Sequence, residues 1–117
     1  MIPKFRAWDK ETKTMNGMAE IYRNRNQEIE LHPRDENIIL MQSTGLKDKN
    51  GKEIFEGDVL GTKDGLLNGI IEYREDLGMF VNSLIRYNNF ERLCNVASDR
   101  EILGNIYENP ELLEGKE

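Results

Sequence analysis

A mainly β fold is predicted by three features of the sequence. Apolar and charged residues alternate on either side of polar clusters near the start of the chain. An Asn50-Gly51 pair marks a tight hairpin in the middle, since both residues tolerate positive φ. From Gly57 onward, short apolar runs follow one another at close spacing, separated by turn residues. Together these predict N-terminal β hairpins followed by a small SH3-like or curled β-barrel, with a short C-terminal helical turn. The 117 residues fit one domain, which, if it subdivides, gives hairpins over residues 1–42 and a barrel over 43–117.

The first hairpin is read from Phe5, Ala7 and Met15, which flank the polar turn Asp9-Lys10-Glu11-Thr12-Lys13. A second is read from Ile21-Tyr22-Arg23 and Glu28-Ile29-Glu30-Leu31 around Asn24-Arg25-Asn26-Gln27. His32 to Asn37 breaks the pattern, and Ile38 to Gln42 reads as a better-buried strand. Around Asn50-Gly51 two registers compete. A two-residue loop sets Lys49 against Lys52 and Asp48 against Glu53. A three-residue Lys49-Asn50-Gly51 loop sets Asp48 against Lys52, Lys47 against Glu53 and Leu46 against Ile54. Like charges across strands repel and opposite charges attract, so the three-residue loop, with Gly51 left-handed, is expected.

Strands are then expected at Asp58-Val59-Leu60, Gly69 to Tyr73, Met79-Phe80-Val81 and Glu101 to Tyr107. Such a set curls or closes to remove unpaired edges. Between Asn82 and Ser98 the period does not decide between a short helix carrying Phe90, Leu93 and Cys94 and a short strand with a loop. Asn109, Pro110 and Glu111 suit the N-cap and first turn of a terminal helical turn bearing Leu112 and Leu113. The glycines 57, 61, 65 and 69 lie among charged residues and are assigned to strand ends and turns.

Composition restricts function. About a quarter of the chain is Leu, Ile, Val or Phe, enough for a thin core. Self-association would add buried area that a chain of this size lacks, so a homo-oligomer is expected. The net charge of -6 disfavours nucleic acid, which usually meets a basic face, and anionic membranes. Cys94 is the single cysteine, which excludes an internal disulfide and a thiolate zinc cage and fits a reducing compartment. With no signal-like start and no long apolar run, a cytoplasmic protein is expected.

No catalytic, cofactor-binding or metal-binding residues are assigned. His32 is the only histidine and precedes a proline in a polar turn, so a triad with Ser43, Ser83, Ser98 or Cys94 is set aside. Cys94 is expected as a small buried hydrophobe. The carboxylates Asp9, Asp35, Glu56, Asp58, Asp64 and Glu72 are numerous, but abundance is not convergence. Asp48-Lys49-Asn50-Gly51 looks like part of a calcium loop, yet its glycine falls too early. Four residues stand as candidate partner contacts: Trp8, expected half-exposed, and Lys47, Lys49 and Lys52, the densest basic spot. Trp8, Phe5, Tyr73 and Tyr107 are the large aromatics that a single-strand binding face would use.

Three stretches carry a family resemblance: Lys4-Phe5-Arg6-Ala7-Trp8-Asp9-Lys10, Leu40 through Val59 with its Thr44-Gly45-Leu46-Lys47-Asp48-Lys49-Asn50-Gly51 centre, and Gly104-Asn105-Ile106-Tyr107-Glu108-Asn109-Pro110-Glu111-Leu112-Leu113. In these the chain resembles the YopX family of phage and prophage proteins from Gram-positive bacteria. It departs at Ser43, an aromatic position in the family pattern, and residues 18–37 align with none of it. The resemblance implies a mostly β phage or prophage product in the host cytoplasm, with self-association and no activity or catalytic residue to carry over. The expected function is non-enzymatic: a protein-interaction module for an unknown host or phage protein. A nucleic-acid-binding small β-barrel is the alternative.

Overall fold

The structure is a computed structural model and describes residues 4–19, 21–23, 29–31 and 37–113. It divides into two compact units, Met1–Ser43 and Thr44–Glu117.

In the first unit β1 (Phe5–Asp9) and β2 (Thr14–Ala19) form the expected antiparallel hairpin, with Asp9 opposite Thr14. The turn is built by Asp9, whose Oδ1 accepts the N–H groups of Glu11 at 2.9 Å and Thr12 at 3.2 Å. Lys13 closes it with φ 57, in the left-handed region. The second hairpin is also present, with β3 (Ile21–Arg23) antiparallel to β4 (Ile29–Leu31) and Ile21 opposite Leu31. Its loop, Glu28, His32 and Asp35 lie outside the described residues.

Strand β5 (Ile38–Lys47) is ten residues long, and its first half pairs antiparallel with β1. Of Ile38 to Gln42 only Met41 is buried, the others being half-buried, so this run is less enclosed than its apolar sequence suggests. Ala7 and Trp8 are both buried. Consecutive strand residues face opposite sides, so β1 is covered on both faces.

In the second unit the end of β5 turns into β6 (Glu53–Phe55) through the three-residue loop. Asp48 N–H donates to Lys52 O at 2.8 Å, Gly51 N–H donates to Asp48 O at 3.0 Å, and Gly51 has φ +82. This is the register that charge pairing favoured. A turn at Glu56-Gly57 follows, where the buried Asp58 carboxylate accepts Phe55 N–H at 2.8 Å. Next come β7 (Asp58–Gly61), β8 (Gly69–Arg74), β9 (Met79–Leu84) and β10 (Phe90–Arg92). A single helical turn, α1 (Leu93–Val96), a 3-10 turn at Ala97–Asp99 and β11 (Glu101–Asn105) complete the sheet.

The sheet order is β10-β9-β8-β7-β11, antiparallel throughout and curled into a half-barrel. The core joins Leu60 and Ile71 of this sheet to Leu93 of α1, Ala97 of the 3-10 turn and Ile54 of β6, with Leu46, Phe80 and Ile102 packed against them. Residues 90–98, undecided from sequence, form both a strand and a helical turn. Leu93 is buried and Cys94 exposed. Neighbours on a helix point about 100° apart, so only one of the two meets the core, and Cys94 is not the buried hydrophobe expected. Gly69 lies so close to its neighbours that an added Cβ would sit 2.5 Å from Asn82 Oδ1. The terminal turn at Pro110–Leu113 forms as expected. Asn109 caps differently, since its Oδ1 accepts Asn105 N–H at 3.2 Å and its backbone carbonyl accepts Leu112 N–H at 3.0 Å.

Candidate contact surface

The residues singled out from sequence do not gather into one place. Trp8 is 8% exposed and is not the half-exposed anchor expected, because β1 lies between β2 and β5. Lys47, Lys49 and Lys52 are exposed on the hairpin, but Lys49 is engaged by Glu101 at 3.2 Å.

Between those lysines lies the hairpin's most committed group. Asp48 is 5% exposed; its Oδ1 accepts Asn50 N–H and Lys52 N–H, both at 2.9 Å, and its Oδ2 accepts Ile102 N–H at 3.0 Å. Burial by itself would raise the carboxyl's pKa. The N–H groups of Ile102, Lys52 and Asn50 outweigh that and, with a smaller contribution from the Lys52 charge, hold it below its ordinary value. Lys49 N–H adds a bond to Arg100 O at 2.9 Å, so the loop backbone is fastened to the start of β11. Sequence reading took Asp48 as one half of a surface charge pair and missed this role. The available signal was an aspartate just before a tight loop, where its oxygens meet the loop N–H groups.

Two further carboxylates are also occupied locally. Asp64 accepts Thr62 Oγ1–H and Leu66 N–H, which lowers its pKa, and Glu72 accepts Ser83 Oγ–H at 2.7 Å. Cys94 Sγ meets Asn95 Oδ1 at 3.7 Å. Among the described residues no group of three or more His, Cys, Asp or Glu side chains is placed to hold a metal ion.

Apolar side chains left in water are the more informative feature. Tyr73 is 45% exposed and Leu77 44% exposed, at the end of the β8–β9 hairpin. Tyr73 pairs with Phe80 in register and stands on the same face of the sheet as buried Ile71. Its ring meets Phe80 edge-on, with centroids 5.1 Å apart and planes at 72°. The pair thus continues the core face beyond its covered part. Leu77 is apolar in the turn Glu75-Asp76-Leu77-Gly78, where polar residues are the norm, and that mismatch was legible in the sequence. Tyr87, in the loop before β10, is likewise 49% exposed.

A model of the YopX protein family matches residues 4–114. The chain belongs to the YopX family. Its solved relatives include protein EF1440 from Enterococcus faecalis, 34% identical over 97% of this chain and 99% of that one, with a TM-score of 0.61. Protein yopX from Bacillus subtilis is 23% identical over the whole of both chains, with a TM-score of 0.59, and so shares the fold. No curated protein matches. Within this YopX-family chain the central motif has a structural part: it builds the Asp48 loop and the Phe55–Asp58 turn. No helix among the described residues is long and apolar enough to cross a membrane.

Proposed function

We propose that this chain is a phage- or prophage-encoded, non-enzymatic interaction protein of the bacterial cytoplasm, which self-associates and binds a host or phage protein. The observation that carries the reading is the pair Tyr73 and Leu77, nearly half exposed on a two-strand hairpin. Tyrosine is enriched among the residues that dominate interface energetics, and a ring already ordered against Phe80 loses little freedom on binding. The carboxylates of Asp48, Asp58, Asp64 and Glu72 are tied to backbone or to neighbouring side chains, which supports binding over chemistry. The phage context is what the resemblance to the YopX family implies, and the two solved relatives come from the bacteria E. faecalis and B. subtilis.

The test is a Tyr73→Ser/Leu77→Ser double variant, soluble and folded by circular dichroism, in sedimentation velocity. Native protein is expected to gain mass with concentration and the variant to weaken that association about tenfold or more, the loss expected for removing two buried contacts. A native chain that stays monomeric at every concentration would contradict the self-association.

A further inference from the structure

The sequence contains three Asn-Gly pairs, Asn16-Gly17, Asn50-Gly51 and Asn68-Gly69. The main-chain nitrogen that follows an asparagine can attack its side-chain amide, and a glycine there has no Cβ to hinder the approach. Ring closure needs rotation about the asparagine Cα–C bond, which swings the planar peptide unit between the two residues out of its folded place. The fold constrains these units differently. The Asn68–Gly69 unit leads into β8, which lies between β7 and β9, and its carbonyl accepts Ile85 N–H at 2.9 Å. Its surroundings are full: the Asn68 side chain lies against Gly61, and an added Cβ at Gly69 would fall 2.7 Å from the Ser83 carbonyl oxygen. Asn16 sits within β2, opposite Ala7 of β1. Asn50 and Gly51, by contrast, are both exposed, and nothing lies within 4 Å of an added Cβ at Gly51. Their peptide unit is held by Gly51 N–H, bonded to Asp48 O at 3.0 Å.

We propose that Asn50 is a site of spontaneous deamidation, through which the hairpin loop changes covalently as the protein ages. The Gly51 nitrogen bonds to Asn50 Cγ and gives up its proton, the Cγ–Nδ2 bond breaks, and ammonia leaves. Water then opens the five-membered imide. Attack at Cγ gives aspartate, and attack at the main-chain carbonyl gives a β-linked residue with one more carbon in the main chain. Either product carries one new negative charge. The position gives the change a consequence. Asp48 Oδ1 accepts Asn50 N–H on one side of the altered residue and Lys52 N–H on the other, both at 2.9 Å. Lengthening the main chain between those donors moves them out of register, and a carboxylate at position 50 repels that of Asp48. The other Asp48 oxygen holds Ile102 N–H at 3.0 Å, so loosening the loop frees it from β11. This site is separate from Tyr73 and Leu77 and does not depend on self-association.

Peptide mass spectrometry of native protein aged in mildly alkaline buffer, with urea-unfolded protein aged alongside, tests the proposal. Unfolded, the three pairs are expected to convert at rates within about threefold of one another, since only their neighbouring residues then distinguish them. In the folded protein Asn50 is expected to convert about tenfold or more faster than Asn16 and Asn68, because a loop peptide opens locally whereas a strand peptide opens with its sheet. Labelling by an isoaspartyl methyltransferase identifies the β-linked product at residue 50. Hydrogen exchange reads the consequence: aged native protein is expected to lose protection at Ile102 N–H, and equally aged Asn50→Gln, whose longer side chain closes its ring far more slowly, to keep it. An Asn50 that stays intact, conversion led by Asn16 or Asn68 in the folded protein, or undiminished Ile102 protection after Asn50 has converted would overturn the proposal.

Discussion

Asp48 shows how one side chain can fix a strand connection. Three N–H groups converge on its two oxygens, one of them from Ile102, 54 residues away. Asp48→Ala is expected to destabilise the fold by about 2–4 kcal/mol, since it strands N–H donors at a buried position. Urea denaturation of the purified protein measures it. The same group gives a pH dependence. Its folded pKa lies below the ordinary 3.8, so its contribution is complete above that value and is lost as the pH falls through the folded pKa. Thermal melts are therefore expected to fall more steeply below about pH 4 in native protein than in Asp48→Asn, which has no carboxyl there to protonate. Equal steepness in the two proteins would contradict that role. Sequence reading found the loop at Asp48 from charge pairing, but what fastens the loop is long-range, and no local pattern announces a partner in β11.

At the scale of elements, the hairpins were legible wherever alternation and turn chemistry agreed. The Asp9–Lys13 turn and the Gly51 loop are such places. Residues 82–98 were not, because a three-residue strand running directly into one helical turn has too little length to express either period. Two substitutions probe the elements. Lys13 holds a left-handed backbone that glycine adopts without strain, so Lys13→Gly is expected to stabilise by about 0.5–1 kcal/mol. Gly69→Ala should do the reverse, by about 1–3 kcal/mol, since its Cβ would meet Asn82 Oδ1 at 2.5 Å and the Ser83 carbonyl oxygen at 2.7 Å. Chemical denaturation reads both, and matched midpoints for Gly69→Ala and native protein would show that β8 and β9 are less closely packed than described.

For the whole molecule, fold class was legible and the proposed contact surface was not. Alternation reports which strand face is apolar, but not where the cover over that face stops; Tyr73 carries the same periodic signal as Ile71 and ends 45% exposed. Trp8 misled in the opposite sense, since flanking Asp9 suggested exposure whereas neighbouring strands enclose it. The proposed function rests on surfaces rather than on reactive side chains. The most direct measurement is quantitative affinity capture from a bacterial lysate, comparing native protein with Tyr73→Ser/Leu77→Ser. At least one protein is expected to be retained by the native chain and depleted about tenfold or more by the variant. An identical set of retained proteins with both would contradict it.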